Sequence, residues 1–207
     1  MDTVTREKWD RAARSFDLMS GFGPEWRWKP AKQRLFARMR PEAKILFLAL
    51  GTGLDIASFP PGCDITAIDI SPKMVEKARA RVAAYPGTMS AHVMDVHQLE
   101  FPPGAFDQVF TSCTFCSVPR PIEGLKALYQ VLKPGGELHM FEHTGSRWFP
   151  FSVMMKLMNP LSSRFGPEVA RDTVANVRAA GFDIGCVDHI FLDTVKTIHA
   201  TRPDPAS

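Results

Sequence analysis

The stretch Lys44-Ile-Leu-Phe-Leu-Ala-Leu-Gly-Thr-Gly-Leu-Asp55 decides the fold. Lys44 to Leu50 is apolar without alternation, as expected for a strand buried on both faces. The run breaks into Gly51-Thr52-Gly53, and a second run, Asp64 to Asp69, ends on a carboxylate. Glycines at such a turn let the backbone approach a ligand closely, and a carboxylate closing the next strand accepts hydrogen bonds from a ribose diol. The layout suits a nucleoside-bearing ligand lying across the ends of two parallel strands. A dinucleotide fingerprint wants a third glycine near position 56, where the chain has Ile56. That substitution argues against NAD and for S-adenosylmethionine.

Outward from this stretch, short apolar runs alternate with helical ones, the signature of a parallel sheet covered by helices. Helices are expected over Thr5 to Phe16 and Glu25 to Met39, separated by Ser20-Gly-Phe-Gly-Pro24. Ser71 reads as a helix N-cap with Pro72 at the first helical position. Later strands are expected at Ser90 to Met94, Gln108 to Ser112 and Glu137 to His143, the last entered through the sharp turn Lys133-Pro-Gly-Gly136. Helices are read at Ile122 to Leu132 and Pro167 to Ala180, and a terminal strand pair at Phe182 to Val187 and Thr194 to Ala200. The fold class expected is α/β, a single Rossmann-like domain. Its seven-stranded, mostly parallel sheet carries a C-terminal antiparallel strand, helices on both faces and an N-terminal helical cap. Residues 1–43 would be the cap and 44–207 the ligand-binding core.

At 207 residues, 45% apolar and 23% charged, the chain has the size and composition of one globular domain. No apolar run approaches the roughly 20 residues needed to span a bilayer. The start, Met1 to Lys8, lacks the apolar core of a secretory signal, so a cytoplasmic protein is expected. Residues 1–44 carry 11 Lys/Arg against 6 Asp/Glu, whereas the remainder carries 14 against 16. The basic excess lies in Trp26 to Arg40, where aromatic and basic residues interleave. This segment reads as a solvated amphipathic helix, or as a surface that rests on an anionic membrane. Cys113 and Cys116 form a lone Cys-x-x-Cys with no second pair at zinc spacing, so no metal and no disulfide are expected. Nucleic acid is not an expected partner, since the basic patch is small.

Five segments together resemble the class I S-adenosylmethionine-dependent methyltransferases. They are Ala49-Leu-Gly-Thr-Gly53, Ile68-Asp-Ile-Ser-Pro-Lys-Met74, Met94-Asp-Val-His-Gln-Leu-Glu-Phe101, Phe106-Asp-Gln-Val-Phe110 and Val131-Leu-Lys-Pro-Gly-Gly136. Phe16-Asp-Leu-Met-Ser20 and Trp26-Arg-Trp-Lys29 are similar to the N-terminal cap of ubiquinone/menaquinone C-methyltransferases. Phe59-Pro-Pro-Gly-Cys63, Cys116-Ser-Val-Pro-Arg-Pro121 and Glu142-His-Thr144 are closer to methyltransferase-like alkyl-thiol enzymes, and bacterial phospholipid N-methyltransferases share the layout. The resemblance implies methyl transfer from S-adenosyl-L-methionine to a small or amphipathic acceptor, a thiol, a phospholipid amine or a quinone-type ring. Two departures stand out. The family's acidic residue late in strand one is Phe47 here, and the glycine opening the turn is Ala49, a change expected to be mild.

By the same resemblance, Ala49, Gly51, Thr52 and Gly53 would approach the cofactor. Asp69 would hold the ribose hydroxyls with Ile70 against adenine, and Asp95 would accept from the adenine amino group beside Val96. Thr111 and Ser112 would lie near the methionine portion. Plainer roles compete: a strand-end turn for Asp69 and a turn cap for Asp95. His143, closing strand five, is the candidate general base, against a histidine simply bonded to a backbone carbonyl. The Met-rich stretch Arg147 to Pro160 reads as a lid, an acceptor wall or a peripheral membrane contact, or as a helix packed on the sheet. Rival functions are a non-catalytic cofactor-binding protein and a nicotinamide-dependent oxidoreductase.

Overall fold

The computed structural model describes residues 1–18, 25–146, 148–150, 153, 157 and 171–204. Helix α1 spans Thr3–Ala12, α2 Glu25–Phe36, α3 Pro72–Ala83, α4 Pro121–Val131 and α5 Thr173–Ala179. The strands are β1 Lys44–Leu48, β2 Asp64–Asp69, β3 Thr88–Val93, β4 Phe106–Ser112, β5 Leu132–His143, β6 Asp183–Phe191 and β7 Val195–Thr201. They form one seven-stranded sheet in the order β3-β2-β1-β4-β5-β7-β6. Strands β1 to β5 run parallel, and β7 enters antiparallel between β5 and β6.

The unbroken apolar character of β1 has a direct structural reading. Successive strand side chains point to opposite faces, so Ile45 and Phe47 enter one core while Leu46 and Leu48 enter the other. The first core is covered by Trp28, Ala31, Leu35 and Phe36 of α2 and Ala78 of α3. The second is covered by Leu125, Leu128 and Val131 of α4 and Val177 of α5. Helices therefore clothe both faces. Ser71 caps α3 as expected, its Oγ accepting from the Met74 N–H at 3.1 Å, with Pro72 opening the helix.

Several boundaries differ from those expected. Strand β3 begins at Thr88 and ends at Val93, leaving Met94 beyond the strand. Strand β5 already pairs at Leu132, and the Lys133 to Gly136 turn is the register shift between the Phe106↔Leu132 and Gln108↔Glu137 partners. Helix α1 starts two residues early because Asp2 caps it, accepting from the Val4 and Thr5 N–H groups at 3.0 and 3.3 Å. The basic segment around α2 is amphipathic, as expected, with Arg27, Lys29, Arg34 and Arg38 on its exposed face. Trp28, Ala31, Lys32, Leu35, Phe36 and Met39 are all buried. The expected break at 20–24, most of the Met-rich stretch and the first part of the expected 167–180 helix lie outside the described residues, as does the side chain of Trp26.

Candidate active site

Strand order reverses at β1 and β4, so the loops leaving these strands part and open a crevice, the usual ligand position in open α/β sheets. A cavity of about 300 Å³ occupies it. Its floor is the β1 turn, where Ala49, Gly51 and Gly53 hold φ of 59°, 57° and 84°. A Cβ on Gly53 would meet Ile56 Cδ1 at 3.0 Å and Ala78 Cβ at 3.3 Å, so the turn packs onto α3 only with glycine there. Ala49 is less comfortable than expected: it carries a Cβ in the left-handed region, a conformation that costs about 1 kcal/mol or more for a non-glycine residue.

Of the anticipated cofactor residues, Ala49, Gly51, Thr52, Asp69, Ile70, Asp95, Val96 and Ser112 all line the cavity, as does His143. Gly53 and Thr111 do not. Strand alternation turns Thr111 to the opposite face of β4, where its Oγ1 donates to Glu142 Oε1 at 3.2 Å. Ser112, one residue on, faces the ligand side, and its Oγ is buried without a protein partner. A buried hydroxyl left unsatisfied by the protein is a place for a ligand hydrogen bond.

Asp69 sits at the end of β2, 7% exposed. Its Oδ2 accepts from the Gly51 N–H and its Oδ1 from the Ser71 N–H, both at 2.8 Å. Burial raises its pKa to about 6, against the lowering pull of those two donors. The turn role leaves room for a ligand role, because each carboxylate oxygen has a second lone pair. The same holds for Asp95. Burial would raise it, but it stays low because it accepts from the His97 and Asp2 N–H groups at 3.0 and 2.8 Å and from His97 Nδ1 at 2.7 Å.

Three features were not legible in the sequence. First, residues 1–18 strap the cavity through three aspartates. Asp2 donates its N–H to Asp95, Asp10 accepts from Ser71 Oγ at 2.5 Å, and Asp17 accepts from Thr52 Oγ1 at 2.5 Å and from Arg81 at 3.0 Å. Thr5, Trp9 and Phe16 supply the inner wall. Second, Lys32 of α2 is carried into the cavity and pairs with Asp55 at 3.0 Å. Third, His143 Nδ1 lies 3.4 Å from Cys113 Sγ, with its ring edge-on to Trp28 and Phe141 at 6.2 and 6.3 Å.

Glu142, on the opposite face from His143 as strand alternation requires, is fully buried. Its Oε1 accepts from the Thr114 and Phe115 N–H groups at 3.1 Å each, fixing the loop that carries Cys113 and Cys116. Burial raises Glu142 to about 7 and drives the Cys116 thiol well above its ordinary value. None of the four cysteines is in a disulfide, and Cys113 and Cys116 serve as cavity lining. No helix among the described residues is long and apolar enough to cross a membrane.

The cradle fits an adenosyl ligand bearing an amino acid. It combines close backbone at Gly51, two carboxylates flanked by Ile70 and Val96, an unsatisfied Ser112 hydroxyl and a Lys32–Asp55 charge pair. Residues 46–140 match the family model described as a methyltransferase domain. The ubiquinone/menaquinone biosynthesis C-methyltransferase UbiE of Geotalea daltonii is 32% identical over 179 residues, covering 77% of this chain and 75% of that one. Thiol S-methyltransferase TMT1B of Rattus norvegicus is 28% identical, covering 73% of this chain and 67% of its own. Among solved structures, an S-adenosylmethionine-dependent methyltransferase from Thermotoga maritima aligns with TM-score 0.68 at 15% identity, over 96% of this chain and 99% of that one. The [4+2]-cyclase SpnF aligns with TM-score 0.69 at 17% identity, over 85% and 81%. Structures so distant in sequence speak for the fold alone, and a cyclase among them underlines that fold does not dictate chemistry. The sequence relatives and the cradle together decide it: the chain belongs to the S-adenosylmethionine-dependent methyltransferases, with S-adenosylmethionine as its cofactor.

Proposed function

We propose that the protein methylates a small alkyl thiol, with His143 as the general base. The observation that carries this reading is the 3.4 Å approach of His143 Nδ1 to Cys113 Sγ inside the cavity, an imidazole already placed to serve a sulfhydryl at the end of β5. Support also comes from the relatives named as thiol S-methyltransferases. Charge argues in the same direction. Among the described residues the carboxylates lining the cavity are Asp55, Asp69 and Asp95, and each is engaged by Lys32, by backbone N–H groups or by His97. With Asp55 assigned to the methionine ammonium and Asp69 and Asp95 to the nucleoside, a cationic amine headgroup would find no further counter-ion among the described residues, whereas a thiol needs none.

When bound, the cofactor supplies an activated methyl group on a sulfonium, so the protein's task is to bind, orient and exclude water. Asp69 would hold the ribose hydroxyls and Asp95 the adenine amino group, with Ile70 and Val96 beside the ring. Lys32 and Asp55 would meet the carboxylate and ammonium of the methionine end, in place of the strand-one acid replaced by Phe47. Ser112 adds a hydrogen bond. The acceptor sulfur would attack the methyl carbon in line, the methyl–sulfonium bond breaking to leave a neutral thioether. The thiol proton passes to His143, which Trp28 and Phe141 hold in place. Peripheral membrane contact is assigned to Trp148 and Phe149, 64% and 84% exposed, instead of to the buried Trp28.

The test is transfer of labelled methyl to a panel of alkyl thiols, phosphatidylethanolamine vesicles and a demethylated quinol. Label should enter the thiols, and His143→Ala should lower kcat by about 10²- to 10⁴-fold with cofactor affinity unchanged. Label entering only lipid or quinol, or none of the panel, would overturn the thiol assignment.

A further inference from the structure

Away from the methyl-transfer cavity, a row of metal-ligating side chains crosses the edge strands of the sheet, on the face of β5 that also carries Phe141 and His143. His139 of β5 is the direct partner of His199 of β7, and His199 is the direct partner of Cys186 of β6. Asp188, opposite Thr197, stands next along β6 on the same face. Directly opposed residues have Cβ atoms roughly 5 Å apart, so these side chains meet.

The hydrogen bonds behind this row determine where its protons lie. His139 Nδ1 and His199 Nδ1 are 2.8 Å apart, so one ring donates and the other accepts. His139 Nε2 lies 3.3 Å from Glu137 Oε2, a carboxylate oxygen that Arg40 and Gln108 each hold at 2.6 Å. An ionised carboxylate only accepts, so His139 carries a proton on Nε2. Its ring is buried and stacked on Phe110 at 4.6 Å, and with its proton on Nε2 the neutral ring offers Nδ1 as an acceptor. His199 must then donate from Nδ1, which leaves the lone pair on its Nε2. That lone pair meets Asp188 Oδ2 at 3.9 Å, and Cys186 Sγ lies 3.6 Å from the same oxygen. The three ligand atoms all fall within 4.8 Å of one another.

We infer that Cys186, Asp188 and His199 form a site for a borderline divalent transition metal of the zinc type, with His139 and Glu137 as positioning residues behind His199. One sulfur, one imidazole nitrogen and one carboxylate oxygen make a donor set for zinc, with water completing a tetrahedron. Metal–ligand bonds of about 2.0–2.3 Å place such atoms about 3.3–3.8 Å apart, so small rotations of the exposed Cys186 and Asp188 side chains toward His199 close the site. An imidazole whose other nitrogen donates into a chain ending on a carboxylate is the usual support of a metal-bound histidine. Cys186 releases its proton as the thiolate takes the metal. The positive charge of Arg38 acts on Cys186 and both imidazoles and opposes a cation there. Bound metal would staple the edge strand β6 to β7. The lone Cys-x-x-Cys plays no part: the cysteine used is the exposed Cys186.

The experiment is a titration of untagged, chelator-treated protein with Co²⁺, followed by displacement with Zn²⁺. One equivalent should produce a tetrahedral visible spectrum with a thiolate charge-transfer band, bleached by Zn²⁺. Cys186→Ser should remove that band, and His199→Gln should weaken affinity by about tenfold or more. His139→Phe should weaken it by about 10- to 100-fold while the thiolate band still appears at saturation, the mark of a positioning residue. Arg38→Gln should tighten binding, and circular dichroism verifies that each variant is folded. A wild-type spectrum without the thiolate band, or a band undiminished in Cys186→Ser, would overturn the site.

Discussion

Ala49 holds φ of 59°, where an L side chain is crowded by its own backbone. Replacing it with glycine should raise unfolding stability by about 1 kcal/mol in urea titrations; a loss of stability would show that the Cβ is needed for packing. Asp69 offers a second test at this scale. A carboxylate that accepts from a diol must be ionised, and burial has raised this one to about 6. Cofactor affinity should therefore be constant above that pH and fall by up to about tenfold per unit below it. A flat profile across about pH 5 to 7.5 would remove Asp69 from the diol-binding role. Asp69→Ala should abolish the dependence and weaken binding by about tenfold or more, since the Gly51 and Ser71 N–H groups also lose their acceptor.

At the scale of elements, two couplings shape the cavity. The first is the strap of residues 1–18, latched by Asp2, Asp10 and Asp17 onto the loops after β3, β2 and β1. The Asp17–Arg81 pair is about two-fifths exposed on each side, so by itself it contributes at most about 1 kcal/mol. Asp17→Ala should weaken cofactor binding several-fold while barely moving the melting temperature; equal damage to both would mean the strap is part of the core. The second coupling is Glu142, which ties β5 to the Cys113–Cys116 loop. Burial raises it to about 7 from an ordinary 4.5, so between those values the folded protein binds more protons than the unfolded chain. Stability should fall as pH rises through that window, by on the order of 3 kcal/mol at most, and level off above it. Glu142→Gln should flatten the slope, and an unchanged slope would place its origin elsewhere.

At the scale of the whole molecule, the absent strand-one carboxylate becomes intelligible. Phe47 is buried against Phe36 and Phe59, with ring centroids 5.9 and 4.9 Å apart, in the core between α2 and the sheet. Restoring the family acid by Phe47→Asp should destabilise the fold by about 4 kcal/mol or more, because it empties an aromatic site and buries an unpaired charge. Near-native stability would show that this core tolerates water. The charge needed at the methionine end is assigned instead to Lys32 and Asp55, 23 residues apart in sequence.

Strand β1, its Gly51–Gly53 turn, the carboxylate ending β2 and the Ser71–Pro72 helix start were all readable along the chain. Each rests on local rules: side-chain period, glycine's access to positive φ, and a cap bond within four residues. Tertiary packing alone decided the rest. Lys32 joined Asp55, Cys113 met His143 across 30 residues, and His139 met His199 across 60. Such pairings depend on strand register and on how a helix lies across a sheet, and no local propensity records either. For the same reason the basic, aromatic segment around Trp28 read as an amphipathic surface helix, but only the fold sent Lys32 inward with Trp28 and Phe36 while Arg27, Lys29, Arg34 and Arg38 stayed exposed.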